Sequence, residues 1–216
     1  MKNKLNTAML LYEKKLWEQG IAYVAGIDEA GRGPLAGPVV VAAVIFMQNA
    51  EIPPVDDSKK LSEKKRIELK QMIITTPGVL FSIQEISPEV IDKINILQAT
   101  HKGMRDAVNA VKETQHALID GLSVPAFPVP STNIVKGDSK SASIAAASIL
   151  AKTHRDAVMK KYAKEYPEYG FEKNSGYGTA EHLLALSQYG ITPIHRKSFK
   201  PVRDIISPPP EQLEFF

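Results

Sequence analysis

Continuous apolar runs alternate along the chain with stretches whose apolar residues recur every three or four positions. The continuous runs predict buried strands, and the three-to-four spacing predicts amphipathic helices. Predicted strands cover residues 22–28, 38–47, 79–86, 117–120 and 133–135. Predicted helices cover residues 3–19, residues 62–74, a long stretch from 88 to 111 and a further segment that begins after residue 141. The mixture indicates an α/β or α+β protein.

Two of the predicted helices carry informative local signals. Ser87 and Pro88 open the long helical stretch as N-cap and first helical residue. His101 lies on the apolar stripe of that stretch, so we interpret it as a core side chain rather than a ligand. The helix after Ser141 is rich in alanine and serine, and such small side chains allow a helix to approach a sheet closely.

Composition narrows the class of protein. The chain has 216 residues, no cysteine and a net charge of +3, which excludes disulfides and thiolate metal sites. The longest apolar run, residues 38–47, is about half of a membrane span, and charged residues interrupt any signal-peptide core near the N-terminus. We therefore expect a cytoplasmic, monomeric protein without membrane attachment. Residues 1–206 are predicted to form one domain, and residues 207–216 a proline-rich linker and tail.

The turn after the first predicted strand carries two adjacent acids, Asp28 and Glu29, followed by Gly31-Arg32-Gly33. A polar hairpin would explain an isolated pair of this kind. A dinucleotide-binding loop is excluded, because that loop must open a helix, whereas here the chain enters a valine-rich strand. Two adjacent carboxylates at a strand end instead predict a site that binds cations.

The segment from Gly26 to Pro38, GIDEAGRGPLAGP, resembles the signature of type 2 ribonuclease H, specifically bacterial ribonuclease HII. Further segments that match in order are DSKKLS (57–62), NILQAT (95–100), LIDG (118–121), KGD (136–138), AAASILAK (145–152), SGYGT (175–179) and HRKSF (195–199). The resemblance implies a ribonuclease H-like α/β fold: a central mixed five-stranded sheet flanked by helices, with a C-terminal helical extension.

Two more acids follow short predicted strands, Asp120 directly and Asp138 after a brief turn. Asp138 has an alternative role as the capping residue of the helix that follows it. Carboxylates alone suit Mg²⁺ or Mn²⁺, and each close pair of them repels by roughly 1 to 4 kcal/mol at 4 Å. We predict a two-metal site with Asp28 and Asp120 as central ligands, completed by Glu29 and Asp138, for phosphodiester hydrolysis.

The resemblance implies an endoribonuclease that hydrolyses the RNA strand of RNA/DNA hybrids. It also implies incision 5′ of single ribonucleotides in duplex DNA, leaving a 3′-hydroxyl and a 5′-phosphate, as ribonucleotide removal requires. Gly31, Arg32 and Gly33 would read the 2′-hydroxyl with backbone groups, and Tyr177 would pack on the next sugar, although a half-buried surface tyrosine is the alternative.

Basic clusters point to phosphate contacts. Within the motifs, phosphate contacts are predicted for Lys59 and Lys60 and for the loop from His195 to Phe199, in which the predicted substrate-binding residues are His195, Arg196 and Ser198. The run from Lys64 to Arg66 is instead interpreted as a solvated helix face.

The tail contains Gln212, Leu213, Phe215 and Phe216, which resemble the short peptide that bacterial replication proteins dock on the sliding clamp, with Phe215 where that pattern favours Leu. Two rival readings of the whole chain remain. One is ribonuclease HIII, which carries an extra N-terminal domain for which the residues before the first strand leave no room. The other is a non-catalytic nucleic-acid-binding module on the same fold.

Overall fold

The computed structural model describes residues 9–207, in which five strands form one mixed sheet. The strands are β1 (Val24–Ala30), β2 (Val39–Phe46), β3 (Val79–Ile86), β4 (His116–Asp120) and β5 (Ser131–Ile134). Their order across the sheet is β3-β2-β1-β4-β5. Strands β1, β4 and β5 are parallel, whereas β2 is antiparallel to both β1 and β3. The predicted mixed five-stranded sheet is confirmed.

Helices cover the sheet and form the C-terminal part of the described chain. They are α1 (Leu11–Trp17), α2 (Glu63–Thr75), α3 (Pro88–Ala110), α4 (Ala142–Glu165), α5 (Phe171–Asn174), α6 (Ala180–Tyr189) and α7 (Lys200–Ile206). Three short 3₁₀ helices lie at Ser58–Lys60, Gly137–Ser139 and Pro167–Tyr169. Within residues 9–207, none of the helices combines the length and apolar character needed to cross a bilayer. The predicted C-terminal helical extension is confirmed, while residues 3–8 of the first predicted helix lie outside the described residues.

Helix α4 packs directly on strands β1 and β2, where alanines of the helix meet valines of the sheet in the largest apolar cluster. The contact is closest at Gly26 of β1, where an added Cβ would lie 2.1 Å from the backbone carbonyl carbon of Ser143. Only a residue without a side chain fits there. The predicted close approach of the small-residue helix is therefore confirmed.

Helix α3 is not the single helix that the apolar stripe predicted. Asn95 has φ 64° and ψ 165°, which breaks the helix into two segments. The Asn95 side chain accepts a hydrogen bond from the Gln98 amide, so Asn95 caps the second segment. The break leaves Leu97 46% exposed. His101 is only partly buried, although its Nδ1 is enclosed without a hydrogen-bond partner among the described residues.

Candidate active site

Parallel pairing brings the predicted acids to one edge of the sheet. Ile27 of β1 is in register with Ile119 of β4, so the next residues, Asp28 and Asp120, lie on neighbouring strands. Asp138 lies in the 3₁₀ helix that follows β5, the strand beside β4. The amide of Gly137 donates a 2.6 Å hydrogen bond to Asp120 Oδ1, which ties this turn to the end of β4. The sheet order thus explains how acids far apart in the sequence become neighbours.

A cavity of about 420 Å³ opens at this edge of the sheet. Its lining residues are Asp28, Glu29, Ala30, Gly31, Arg32, Gly33, Ser58, Lys59, Asp120, Ser148, Lys152, Arg155 and Tyr177. Three of the four predicted acids, the whole Gly-Arg-Gly turn and the predicted sugar-contacting tyrosine therefore share one cavity. Asp138 is not among the lining residues but contacts Lys59, which is.

The acids are held in an environment that disfavours their charge. Burial raises the pKa of Asp28 well above its usual value, and the charges of Glu29 and Asp120 raise it further, while a Ser148 hydrogen bond opposes them. Burial also raises the pKa of Glu29, against the opposing effect of Arg32. Burial is the main cause of the raised pKa of Asp120. Such a set of acids is stabilised by added positive charge.

Two basic side chains of the protein already partner these acids. Lys59 Nζ lies 3.0 Å from Asp138 Oδ2, and Arg32 Nη1 lies 3.3 Å from Glu29 Oε1. In the described part of the chain, no three Asp, Glu or His side chains form a ready-made cation-binding cluster. The acids are instead arranged around the cavity, and two of them are directed toward the protein's own cations.

The alternative role of Asp138 as a helix cap is wrong. The N-cap of α4 is Ser141, whose hydroxyl accepts a hydrogen bond from the Ile144 amide. Asp138 is 4% exposed in its own 3₁₀ turn, and its carboxylate accepts from Lys59. Its carboxylate is therefore free of any capping function at α4.

The Gly-Arg-Gly turn lies against buried arginine and against Tyr177. Gly31 has φ 94°, and an added Cβ would lie 2.0 Å from Arg155 Nε. At Gly33, an added Cβ would come within 3.3 Å of Tyr177 Cε1. The ring of Tyr177, which is 49% exposed, thus stands beside the backbone of the turn at the cavity wall. This arrangement favours a role for Tyr177 at the cavity over that of an ordinary surface tyrosine.

The predicted phosphate contacts of His195 and Arg196 are wrong. Both residues are buried, at 1% and 0% exposure. Arg196 donates to the backbone carbonyls of Gly31 (2.6 Å), Arg32 (2.9 Å) and Gly37 (2.9 Å). The buried guanidinium therefore supports the turn from behind, with a separate nitrogen donating to each of the three carbonyls.

Ser198 is exposed outside the cavity, where its hydroxyl and its amide both donate to Asp92 Oδ1, and its predicted phosphate contact stays a prediction. The prediction for the run from Lys64 to Arg66 needs correction in part. Arg66 is not part of a solvated face, since it donates to the carbonyls of Ser58 and Leu61 and pairs with Asp156 at 3.6 Å. Lys64 is exposed, as predicted.

Sequence reasoning assigned no role to four residues that line the cavity: Ser58, Ser148, Lys152 and Arg155. The hydroxyls of Ser58 and Ser148 lie 2.8 Å apart. Arg155 is buried and donates to the carbonyls of Ala36, Pro38 and Ser175. Ser58, Ser148 and Lys152 lie within the motifs, and that position was the available signal for their place at the cavity. Arg155 offered no such signal, because two of its three carbonyl partners are more than a hundred residues away in the sequence.

The sequence matches the family model for Ribonuclease HII over residues 25–202. The chain belongs to the ribonuclease HII family. Ribonuclease HII of Bacillus cytotoxicus is 54% identical over 199 residues, which cover 92% of this chain and 76% of that protein. Ribonuclease HII of Caldanaerobacter subterraneus is 52% identical over 192 residues, or 88% of this chain and 79% of that protein.

Solved structures of several ribonucleases H share the fold. The ribonuclease H2 of Pyrococcus horikoshii has a TM-score of 0.71 at 27% identity, covering 85% of this chain and 96% of that one. The ribonuclease HII of Archaeoglobus fulgidus, solved in complex with PCNA, has a TM-score of 0.70 at 26% identity, covering 82% of this chain and 95% of that one. A Bst ribonuclease HIII in complex with Mn²⁺ has a TM-score of 0.66 at 17% identity, covering 86% of this chain and 70% of that one, and shows the fold alone.

Membership of the ribonuclease HII family decides between the rival readings. The matching family model and the similar relatives are ribonuclease HII rather than ribonuclease HIII. The family consists of nucleases of the ribonuclease H class, so the prediction of an enzyme is confirmed and the reading as a non-catalytic module is wrong.

Proposed function

We propose that this member of the ribonuclease HII family, besides hydrolysing the RNA strand of RNA/DNA hybrids, incises duplex DNA on the 5′ side of single embedded ribonucleotides. The observation that carries the proposal is the shared cavity, in which acids from β1 and β4 face a backbone turn and an exposed tyrosine. A site that cleaves phosphodiesters and also selects one sugar needs both kinds of group within reach of one nucleotide.

The acids suit two divalent cations, Mg²⁺ or Mn²⁺. Asp28, Glu29, Asp120 and Asp138 offer only carboxylate oxygens, which are the donors that these ions prefer. Burial is the main cause of the raised pKa values of Asp28, Glu29 and Asp120, and bound cations would stabilise the charged form of these acids. When bound, the two ions would activate a water and stabilise the leaving 3′-oxygen. Lys59 and Arg32, which now partner two of the acids, are placed to contact the phosphates of a bound strand.

Sugar selection is assigned to the Gly-Arg-Gly turn and to Tyr177. The backbone of residues 31–33 lines the cavity, and the absence of Cβ atoms at its two glycines allows a ribose to approach closely. A site that hydrogen-bonds one hydroxyl can reject the sugar without it by roughly 10⁴ to 10⁵. Tyr177, adjacent to Gly33, would pack on the sugar one step 3′ and favour a deoxyribose there.

The experiment uses three duplexes of one sequence: all DNA, DNA with one ribonucleotide, and a continuous RNA/DNA hybrid. We expect metal-dependent cleavage of the second and third, a single cut 5′ of the ribonucleotide, and products ending in 3′-hydroxyl and 5′-phosphate. The all-DNA duplex is the control and should stay intact. A chain that cleaves only the continuous hybrid, or that cuts 3′ of the ribonucleotide, would contradict the proposal.

We also propose a sliding clamp as partner, contacted by Gln212, Leu213, Phe215 and Phe216. These residues lie outside the described part of the chain, so the proposal rests on their sequence and on the archaeal ribonuclease HII solved with PCNA. Clamp binding would raise the enzyme's concentration on replicated DNA without changing the active site.

Deletion of residues 211–216 tests the clamp proposal. The truncated protein should lose binding to the bacterial clamp and should cleave short duplexes at an unchanged rate. A labelled tail peptide titrated against the clamp gives an independent measurement. Absence of peptide binding at high micromolar clamp, or a large loss of cleavage on truncation, would refute a docking role.

A further inference from the structure

Two buried imidazoles lie in the C-terminal extension, next to the cavity but outside the chemistry proposed above. His182, on α6, is 0% exposed, and His195, in the segment before α7, is 1% exposed. Their ring centroids lie 5.2 Å apart, and both rings pack against Tyr169 and Phe171. Apolar side chains could fill this space equally well, so the presence of two ionisable rings calls for a functional explanation.

The position of the proton on His182 follows from its partner. His182 Nδ1 lies 2.9 Å from the backbone carbonyl oxygen of Tyr177. A carbonyl oxygen can only accept, so Nδ1 carries the hydrogen and donates it. In a neutral ring the other nitrogen, Nε2, is then an acceptor.

The position of the proton on His195 follows in the same way. The amide of Thr192 lies 2.9 Å from His195 Nδ1, and the Thr192 hydroxyl lies 2.8 Å from the same atom. An amide can only donate, so this Nδ1 is the acceptor and the hydrogen sits on Nε2. His195 Nε2 therefore donates across 3.0 Å to His182 Nε2.

All four ring nitrogens are satisfied only when both rings are neutral. A proton added to His182 Nε2 would face the hydrogen on His195 Nε2 across 3.0 Å. Burial lowers the pKa of both rings, that of His195 to about 4. The backbone partner of each ring thus fixes the tautomer of that ring. The result is one continuous chain of hydrogen bonds from Thr192 through His195 and His182 to Tyr177.

This chain of hydrogen bonds links Tyr177 to the segment that follows the Gly-Arg-Gly turn, and Tyr177 and the turn are the two features proposed to contact the sugar. At one end it holds the carbonyl of Tyr177, whose ring is 49% exposed at the cavity. At the other end, His195 forms a β-bridge with Ala36, just beyond the Gly-Arg-Gly turn. The amide of Leu35 also donates to the carbonyl of Gly176, which joins the two segments directly.

We propose that His182 and His195 form a neutral imidazole relay, with one fixed tautomer in each ring, that positions Tyr177 against the deoxyribose 3′ of the cleaved ribonucleotide. This inference rests on the proposed sugar contact of Tyr177. His182 and His195 are positioning residues, since neither lines the cavity. They act through the backbone at Tyr177, and a loss of the relay leaves the acids unchanged.

The test compares cleavage of the single-ribonucleotide duplex with cleavage of the continuous hybrid. His182→Leu removes the donor to Tyr177 and should reduce the first activity about three- to tenfold more than the second, the size of one lost hydrogen bond. His182→Asn places an amide donor where Nδ1 lies and should restore most of the ratio. Equal losses on the two substrates for His182→Leu would overturn the proposal.

Tyr169→Phe is the matched control. It removes a hydroxyl that donates to the Gly190 carbonyl in the same aromatic cluster, without touching the relay. It should leave the ratio of the two activities unchanged, and a shift as large as that of His182→Leu would mean that general loosening of the extension explains the effect. Tyr177→Ala checks the premise: an unchanged ratio there would refute the sugar contact itself.

Nitrogen NMR of labelled histidines reports the relay independently of cleavage. At neutral pH we expect His182 to be protonated only at Nδ1 and His195 only at Nε2. The opposite tautomer or a charged ring at either position would overturn the relay, whatever Tyr177 contributes to cleavage. This measurement needs no variant and therefore does not depend on the folding of His182→Leu.

Discussion

At the scale of single residues, the site combines acids that the fold buries with basic groups that compensate only some of their charge. Asp28 is the most affected, because burial, Glu29 and Asp120 all raise its pKa. Because folding raises this pKa, the free energy of unfolding falls as the pH rises from the ordinary pKa to the raised one, and the full cost is present above the raised pKa. A carboxylate at this position lowers the stability of the metal-free protein, as the proposed role of Asp28 in metal binding would require.

Asp28→Asn should therefore separate activity from stability. We expect cleavage to fall by at least about 100-fold, since the variant lacks a proposed metal ligand, while the metal-free protein becomes about 1 kcal/mol more stable at pH 7. Thermal unfolding in EDTA and cleavage at saturating Mg²⁺ measure the two effects. A lower unfolding temperature for the variant would show that other groups of the protein compensate the charge of Asp28.

Asp120→Asn and Asp138→Asn should also lower cleavage strongly while leaving duplex binding largely intact. Asp138→Asn is the more informative variant, because Asp138 contacts Lys59 and does not itself line the cavity. Binding is measured with a labelled duplex in Ca²⁺ and cleavage in Mg²⁺. Near-normal cleavage by Asp138→Asn at saturating Mg²⁺ would remove this acid from the site.

Lys59→Met tests the contact between Lys59 and Asp138. The Lys59 side chain is 77% exposed, so its pairing with Asp138 is worth about 0.5 to 1 kcal/mol. Its removal should lower the Mg²⁺ concentration for half-maximal cleavage about two- to fivefold and raise the KM for the duplex. Lys60→Met is the control, since Lys60 faces Asp56 at 3.9 Å. An unchanged metal requirement in Lys59→Met would show that Lys59 does not compete with the ion.

At the scale of elements, the strands and most helices follow from the sequence because their apolar periods are regular. The break at Asn95 was missed because the apolar spacing continues across it without Gly or Pro. Asn95 followed by Gln98 is nevertheless a capping pattern, and it was the signal available for the break. The burial of Arg155 and Arg196 was missed for a different reason: the sequence around a charged residue does not show whether its side chain donates to carbonyls far away in the chain.

Gly26→Ala tests how tightly α4 and β1 are packed. The new Cβ would meet backbone atoms of Ser143 and Ile144 at 2.1 and 2.2 Å, and backbone cannot move aside as a flexible side chain does. Overpacking of this kind costs about 1 to 3 kcal/mol or more, so the unfolding temperature should fall by roughly 5 °C. An unchanged unfolding temperature would mean that α4 can shift along the sheet.

At the scale of the whole molecule, the C-terminal extension is joined to the sheet by buried arginines rather than by apolar packing alone. Arg155 and Arg196 each donate to three backbone carbonyls near the Gly-Arg-Gly turn. The sequence predicted the helical extension correctly, and the acids that it singled out lie at one edge of the sheet. The way in which the extension supports the turn depends on contacts between residues about 160 positions apart, which no local pattern reports.

Arg196→Met should both destabilise the protein and weaken sugar selection. Three carbonyls would lose their donor, which we expect to cost about 3 kcal/mol and to lower the unfolding temperature by roughly 6 to 12 °C. Cleavage of the single-ribonucleotide duplex should fall at temperatures where the variant is folded. Arg203→Met, at a side chain that is 60% exposed, is the control and should change neither quantity. Equal effects of Arg196→Met and Arg203→Met would show that Arg196 is not the residue that supports the turn.

The hydrogen bond from Arg196 to the carbonyl of Gly31 has a consequence for the order in which the chain is made. The ribosome adds Arg196 165 residues after Gly31. Asp138, the last of the four acids, also precedes Arg196 along the chain. During synthesis the acids proposed to bind metal are therefore made before the arginine that supports the turn, and the carbonyl of Gly31 lacks its Arg196 donor until residue 196 has been added.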